Sequence, residues 1–387
     1  MAEWASLQPD LIRRVGDCVL ATSGVDSYMD LRAVCPSWRS AVAKPSPLAA
    51  VADLRFRPRQ WVVLEEGPLF LNVSTGRIRR LGLPLLRDYI FVGASDGLLI
   101  LGDRERPHAA RVLNPLTGDM LCFAALIPRE PNVLAAVTGC EPTLIFFFQY
   151  RAGMYHRIYD DIPAYYNLEQ DGHAVCSADP TSQLCAMQFQ DALCEDDGLF
   201  YLKSVLTYAG HVYFLNSAAT LFKIVWSGSH WYAKRIVDTH LQDGCIYLVE
   251  SAGKLLLVQD EPETLSVFSV DVERKVLEPI ESIGSWALFL CFNKCLSVDA
   301  DKLPSIEGNC IYKYSGRFRG DTMYVRYDLS NSKKECITGL KVRDPQSILI
   351  PFMKSETIHE GPLSLAQILL TAYPKVKCQL DRIRKTL

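Results

Sequence analysis

The sequence lacks the motifs by which metal-binding and catalytic proteins are usually recognised. Its 13 cysteines include no Cys-x-x-Cys pair, and no Gly-x-x-x-x-Gly-Lys, Gly-x-Gly-x-x-Gly or His-Glu-x-x-His sequence occurs. These absences argue against a zinc site, a phosphate loop, a dinucleotide-binding turn and a zinc protease helix. We therefore expect no cofactor, no metal ion and no enzymatic activity.

The sequence also has little net charge and no long apolar run. Its formal net charge is -3 over 387 residues, whereas general nucleic-acid binders carry a strong basic excess. No apolar run approaches the roughly 20 residues that span a bilayer. We expect neither nucleic acid nor membrane among the partners. The N-terminus lacks the layout of a secretory signal, which makes the cytoplasm or the nucleus the expected location.

Two short matches to catalytic motifs fall where β-structure is expected. Residues 93–97 read Gly-Ala-Ser-Asp-Gly and fit a nucleophile elbow, and residues 251–254 fit Ser-x-x-Lys. An elbow needs a helix after it, but residues 98–101 have the composition of a strand. Both segments are therefore predicted to be hairpin turns.

The first part of the chain has helical periodicity. Apolar residues recur at helical spacing from Leu11 to Val19, and residues 22–24 are predicted to end that helix. A second helix is expected to stop near Cys35, and a third to begin around Pro36. Some 40 residues in three small helices bury too little surface to be stable alone. The module is therefore predicted to pack against a partner or a neighbouring domain.

The rest of the chain is a succession of short β-strands. Its clearest hairpins are His211–Asn216 with Thr220–Trp226, Ile246–Glu250 with Lys254–Gln259, and Thr264–Val270 with Lys275–Ile280. Successive hairpins without helices predict a mainly β fold, a β-propeller of six or seven blades, with a two-sheet sandwich as the alternative. The bulky residues predicted to lie between blades are Trp61, Trp226, Trp231 and Trp286.

Composition shifts divide the chain into four predicted parts. They are a helical module at 1–45, a proline-containing linker at 46–54, a propeller-like domain at 55–350, and a C-terminal helix with a basic tail at 360–387. The last part is expected from a capping-box pattern followed by lysines and arginines.

Two segments of the helical module resemble the F-box family. Residues 4–12 (Trp-Ala-Ser-Leu-Gln-Pro-Asp-Leu-Ile) and 31–39 (Leu-Arg-Ala-Val-Cys-Pro-Ser-Trp-Arg) are similar to its Leu-Pro-x-Asp-Leu-Ile opening and Val-Cys-x-x-Trp-Arg closing patterns. Gln8 stands where that family usually has its first proline. The resemblance implies binding to a Skp-type adaptor, and through it to a cullin. The implied apolar contact residues are Leu7, Pro9, Leu11, Ile12, Val15, Leu31, Val34 and Cys35, and the residues expected to brace the helices and touch the rim are Trp38 and Arg39.

The β region resembles a large plant family known as domain of unknown function 295. The segments that carry this resemblance are residues 246–258, 267–271, 287–290 and 308–312. That family is commonly fused behind an F-box. The resemblance implies a propeller-like fold and a plant source, and it defines no substrate.

Together these features predict a non-catalytic substrate-recognition subunit of an SCF-type (Skp-cullin-F-box) E3 ubiquitin ligase. Such a subunit holds an unidentified target protein near a ubiquitin-conjugating enzyme. One alternative is an F-box scaffold or small-ligand sensor that acts outside ubiquitination. Another is a propeller enzyme, which requires titratable residues such as paired carboxylates to converge at the central channel. Target contact is predicted in a loop rich in aromatic and basic residues: Arg151, Tyr155, His156, Arg157 and Tyr159.

Overall fold

A computed structural model describes Trp4 and residues 7–63, 69–81, 87–128, 130, 133–139, 141–150, 172–189, 202–239, 241, 244–261, 264–290, 295–303, 306–318 and 321–337. The chain starts with helices α1 (Pro9–Ala33), α2 (Pro36–Ala41) and α3 (Pro47–Ala52), followed by a 3-10 turn at Leu54–Phe56. Gly24 interrupts α1, because its φ of 82° and ψ of 179° are not helical. The predicted helix break after residues 22–24 is therefore confirmed.

Twenty-five strands form six sheets in the described part of the chain, and each sheet is one propeller blade. Blade 1 contains β1 (Trp61–Val63), β2 (Leu69–Asn72) and β3 (Ile78–Arg80). Blade 2 contains β4 (Tyr89–Ser95), β5 (Leu98–Asp103), β6 (Ala109–Asn114) and β7 (Asp119–Leu126). Blade 3 contains β8 (Leu134–Val137), β9 (Leu144–Tyr150), β10 (Gly172–Ala178) and β11 (Cys185–Ala186). Blade 4 contains β12 (Gln188–Phe189), β13 (Leu202–Tyr208), β14 (His211–Asn216), β15 (Thr220–Trp226) and β16 (Trp231–Asp238). Blade 5 contains β17 (Cys245–Ser251), β18 (Lys254–Asp260), β19 (Leu265–Asp271) and β20 (Val276–Ile280). Blade 6 contains β21 (Trp286–Leu290), β22 (Leu296–Asp299), β23 (Cys310–Phe318), β24 (Asp321–Asp328) and β25 (Lys333–Ile337), and a 3-10 turn at Ala300–Lys302 follows β22.

The blades follow one another around a ring. The inner strands β4, β8, β13, β17 and β22 contact one another in that order. Blade 1 meets blade 2 in an apolar cluster that contains Trp61, Phe70 and Leu99. Blade 1 meets blade 6 where Gly76 lies against Leu303, so close that a Cβ on Gly76 would be 3.2 Å from Leu303 Cδ2. The prediction of a mainly β fold with a propeller is therefore confirmed, and the number of blades is six.

The core lies between neighbouring blades. Phe147 of blade 3 packs on Phe214 of blade 4, with ring centroids 5.2 Å apart, and Leu215 of blade 4 packs in one cluster with Leu248 and Leu257 of blade 5. Each blade that lies between two neighbours is thus covered on both faces, as in stacked sheets. This explains why strands such as β5 are nearly continuous apolar runs instead of alternating ones.

Tight turns join the first two strands of several blades. Asp96 and Gly97 have φ values of 50° and 78°, and Ala252 and Gly253 have 51° and 73°, as type I′ hairpin turns require. Both catalytic-motif matches therefore lie at hairpin turns, as predicted. Gly97 also has a packing reason, because a Cβ there would lie 1.9 Å from the carbonyl oxygen of Pro58.

One segment and one side chain differ from expectation. Residues 46–54, predicted as a linker, contain α3, whose Val51 is fully buried in the cluster between blades 2 and 3. The prolines at 45 and 47 do not end helical structure, because a proline at the first turn is compatible with a helix. Trp226, predicted between blades, is 43% exposed. The predicted C-terminal helix and tail at 360–387 lie outside the described residues.

Candidate functional site

The helical module has a small core of its own. Ile12 (1% exposed), Tyr28 and Trp38 pack together with Val42 and Phe56. Ile12 was expected on the exposed adaptor face, and this expectation is wrong because the side chain lies on the side of α1 that meets α2 and the following 3-10 turn. Its burial removes it from any contact surface.

The large apolar side chains that stay exposed are concentrated in this module. Five of the eight such residues in the described part of the chain lie within the first 50 positions: Trp4, Leu11, Val15, Val34 and Leu48. Leu11 and Val15 are one helical turn apart on α1, so their side chains are neighbours. The module therefore carries exposed apolar side chains, and we call three of them, Leu11, Val15 and Val34, the helical face.

The other predicted adaptor residues surround the helical face in different states. Pro9 and Arg39 are exposed, whereas Leu7, Leu31 and Cys35 are half-buried beside the core of the module. Trp38 is 8% exposed, and its indole Nε1 donates a hydrogen bond to the carbonyl of Trp4 at 2.9 Å. Hydrogen bonds from the Ser37 hydroxyl and the Trp38 backbone lower the pKa of the Cys35 thiol.

Ion pairs attach the helical module to blades 1 and 2. Arg77 Nη1 lies 3.2 Å from the Asp26 carboxylate, and Arg77 Nη2 lies 3.2 Å from the Asp30 carboxylate. Arg79 also pairs with Asp30. Lys44 Nζ lies 2.7 Å from Asp119 Oδ1. Because four pairs act on two elements of the module, its orientation on the propeller is fixed at several points.

The segment after α3 lies against the turns between the first two strands of the adjacent blades 2, 3 and 4. The Leu54 side chain contacts the Gly210 turn of blade 4, and Pro58 contacts the Gly97 turn of blade 2. Between them, the fully buried Arg57 donates from Nε to the Val51 carbonyl at 2.8 Å and from Nη1 to Asp96 at 2.9 Å, and its Nη2 donates to the Thr138 carbonyl. One guanidinium thus joins the module to blades 2 and 3.

Two carboxyl groups influence each other at this end of the channel. Burial, followed by the charge of Asp96, raises the pKa of Glu250, while Arg59 acts in the opposite direction. Asp96 belongs to blade 2 and Glu250 to blade 5, on opposite sides of the six-bladed ring. Nearby, the hydroxyls of Ser95 and Thr207 are hydrogen-bonded at 2.7 Å. The charge of Asp96 therefore acts on a partly buried carboxyl group on the other side of the ring, and convergence of titratable groups at the channel is what a propeller enzyme requires.

The predicted target-binding loop cannot be placed beside these sites. Arg151, Tyr155, His156, Arg157 and Tyr159 all lie outside the described residues. Within the described ranges, no group of three or more histidine, cysteine, aspartate or glutamate side chains is arranged to hold a metal ion. No helix in those ranges is long and apolar enough to cross a membrane.

The fold defines the class of protein as a six-bladed β-propeller that is preceded by a helical module. A family model described as KIB1-4 beta-propeller matches residues 70–334, and the chain belongs to this family. It is a protein-binding family whose propeller is typical of plant F-box proteins. No family model detects an F-box in the helical region, and no curated protein matches the chain.

Several solved structures align with the chain at low similarity. A periplasmic gluconolactonase of Pseudomonas aeruginosa is 10% identical, with 70% of this chain and 77% of that chain covered and a TM-score of 0.31. A quinonprotein alcohol dehydrogenase-like protein of Bacteroides thetaiotaomicron is 8% identical, with 72% of each chain covered and a TM-score of 0.32. Similarities at this level carry no argument about function.

The charged residues at this end of the channel were not predicted from the sequence. Arg57, Arg59, Asp96 and Glu250 lie on three separate segments, and the match of residues 93–97 to a nucleophile elbow gives no indication that Asp96 pairs with Arg57. Asp96-Gly97 indicates only a hairpin turn. A weak signal was available in Arg57 and Arg59, two arginines that follow directly on a segment with buried apolar residues.

Proposed function

We propose that this protein is the substrate-recognition subunit of an SCF-type E3 ubiquitin ligase. The helical module binds a Skp-family adaptor, and through it a cullin, while the propeller holds a target protein. Catalysis then arises from proximity, because the target is held near a charged ubiquitin-conjugating enzyme. The subunit itself performs no chemical step.

One observation carries this proposal: the helical face is apolar and exposed although the module around it has a filled core. Leu11 is 46% exposed, Val15 40% and Val34 63%. Exposed apolar patches mark interaction sites when they are contiguous and large. These three residues also fall within the two segments that resemble the opening and closing patterns of the F-box. Burying them in a complex contributes roughly 25 cal/mol per Å² of apolar area.

Co-purification with a Skp-type adaptor and a cullin tests the proposal. Val15→Asp is expected to abolish adaptor recovery, because a charge then enters an apolar contact. Val276→Asp is the matched control, since Val276 is a valine of 39% exposure on the outer strand of blade 5. Equal adaptor recovery by the two variants would overturn the proposal. Recovery of adaptor without cullin would favour a scaffold that acts outside ubiquitination.

A second candidate function is a ligand-binding or catalytic channel. The raised pKa of Glu250, caused first by burial and then by the charge of Asp96, favours it, because groups with shifted pKa values cluster at functional sites. We rank it second because Asp96 is held by Arg57, an ion pair that also joins the module to the propeller. Replacing Glu250 by Gln leaves adaptor binding unchanged under the first function and abolishes any channel activity under the second.

A further inference from the structure

A groove with a volume of about 560 Å³ lies between blades 5 and 6. Strands β19 and β20 of blade 5 form one wall, and β24 with the β24–β25 turn of blade 6 forms the other. This volume falls within the roughly 300–1,000 Å³ that is usual for small-molecule sites. The groove is therefore large enough for a small ligand that touches two blades at once.

The floor of the groove is apolar. Leu265, Val267 and Tyr327 are buried and belong to the cluster that packs blade 5 against blade 6. The half-buried side chains of Ile280 and Leu329 also line the groove and pack against the same cluster. An apolar molecule in the groove would lose contact with water against side chains that both blades hold in place.

A hydrogen-bond network fixes one edge of the groove. The Ser282 hydroxyl donates to Asn309 Oδ1 at 3.0 Å, and Asn309 Nδ2 donates to the Ser330 hydroxyl at 2.9 Å. The backbone N–H of Ile283 donates to the same Asn309 Oδ1 at 2.8 Å. Asn309 has a φ of 57°, a left-handed conformation that asparagine adopts more readily than most residues. This edge is therefore held in place before a ligand binds, which lowers the entropy cost of binding.

One polar group in the floor of the groove lacks a partner. Tyr327 is 3% exposed and lines the groove, and within the described ranges its hydroxyl takes part in no hydrogen bond. On the neighbouring strand, by contrast, the hydroxyl of the buried Tyr312 accepts from the Glu307 backbone N–H at 3.1 Å. A buried tyrosine hydroxyl usually has a partner, because leaving it without one is unfavourable. An acceptor atom of a bound molecule would supply that partner.

The lining of the groove carries little charge. Among the described residues that line it, Glu281 is the one charged residue, and it is exposed. An anion would lose hydration in the groove without meeting a positive side chain. A cation would meet only the exposed Glu281, and ion pairs at exposed positions contribute little. The lining therefore favours a neutral molecule.

We propose that this groove binds a small neutral molecule with an apolar ring or alkyl body and a hydrogen-bond acceptor. The apolar body lies against Leu265 and Val267, and the acceptor receives a hydrogen bond from the Tyr327 hydroxyl. Because the molecule contacts blades 5 and 6 together, it binds the folded chain and raises its stability. This inference goes beyond the proposed function and does not depend on adaptor binding by the helical module.

Fluorine NMR on the full chain tests the proposal with three probes of similar shape. The probes are 4-fluoroacetophenone, which has a carbonyl acceptor, 4-fluoroethylbenzene, which has none, and 4-fluorobenzoate, which is an anion. The ketone is expected to bind the unaltered chain more tightly than the anion does. Tyr327→Phe removes the hydroxyl and keeps the ring, so the ketone should bind this variant about fivefold more weakly. The ethylbenzene should bind both chains equally.

Tyr213→Phe is the matched control, because Tyr213 is a tyrosine of 2% exposure on blade 4, outside the groove. An equal loss of ketone binding in the two variants would overturn the proposal, as would unchanged ketone binding by Tyr327→Phe. Failure of the ketone to bind the unaltered chain, or equal binding of the anion, would also overturn it. Adaptor recovery by Tyr327→Phe is expected to equal that of the unaltered chain, so this inference and the proposed function can fail separately.

Discussion

The helical module and the propeller bury their apolar side chains in different ways. The propeller strands have a neighbouring blade on each face, so residues such as Phe147 and Leu257 are excluded from water by the next blade. The helical module has one layer of helices and one small core, and it leaves Leu11 and Val34 exposed. A module of this size completes its apolar packing only through contacts with other parts. The propeller supplies some of these contacts, and the helical face remains.

The largest effect is expected where the two regions are joined by Arg57. Arg57→Met leaves the buried Asp96 carboxylate with only the more distant Arg59, whose Nε is 3.9 Å away, which is expected to lower the free energy of unfolding by about 3–5 kcal/mol. Urea denaturation measures this loss. Arg55→Met is the control, since that arginine is mostly exposed on the same segment. A double variant with Asp96→Asn should recover part of the loss, and a loss in the single variant below about 1 kcal/mol would contradict this role.

Adjacent residues of α1 are expected to separate stability from binding. Ile12→Ala opens a cavity in the module and should cost about 2–4 kcal/mol of unfolding free energy. Leu11→Ala removes an exposed side chain and should cost less than about 0.5 kcal/mol. Adaptor affinity, measured by calorimetry on the folded variants, should fall more for Leu11→Ala. The same order in both measurements would contradict a helical face that is reserved for a partner.

A smaller effect is expected at the ion pairs between α1 and blade 1. Asp26→Asn should lower the free energy of unfolding by about 1–2 kcal/mol, because its carboxylate is nearly buried and faces Arg77. The difference should shrink in 1 M salt, where the exposed arginine is screened. Asp10→Asn is the control, because its pair with Arg13 is exposed on both sides and should contribute almost nothing. Thermal unfolding at two salt concentrations gives the comparison.

The smallest effect is expected from Glu250 and depends on pH. Its pKa is raised in the folded state, chiefly by burial and then by Asp96. Between the ordinary and the raised pKa the folded chain holds more protons than the unfolded chain, so stability falls as pH rises through this window. Glu250→Gln should flatten that part of the profile and should stabilise the chain slightly above the window. A profile in which the variant keeps the same slope would show that another group is responsible.

The strands were predictable because their signals are local. The hairpin of β14 and β15 has the bounds predicted from its two apolar runs and the short turn between them. The break at Gly24 was predictable for the same reason, since residues 22–24 combine weak helix formers with a glycine that adopts positive φ without a steric penalty. The choice between six and seven blades was not, because irregular turn lengths leave the repeat ill-defined in one dimension.

The sites were less predictable than the strands. Ile12 and Leu11 are neighbours of similar apolarity, and only the packing of α2 against α1 decides which one is buried. Trp226 was expected between blades because large aromatic residues are usually buried in this architecture. Its position at the end of β15, beyond the reach of blade 3, leaves it in solvent. In both cases the apolar or aromatic character of the side chain was recognised, but its burial or exposure was predicted wrongly.

The sequence by itself determined the order of the elements, the helical character of the first part and the hairpin character of the rest, because backbone preferences and side-chain periodicity act over a few residues. Tertiary structure alone decided that Arg57 meets Asp96, that the charge of Asp96 acts on Glu250 across the ring, and that Leu11 is exposed while Ile12 is not. These relations join residues distant in the chain, or depend on a neighbouring element, and their energies arise from burial and Coulomb interaction in space. No local pattern encodes them.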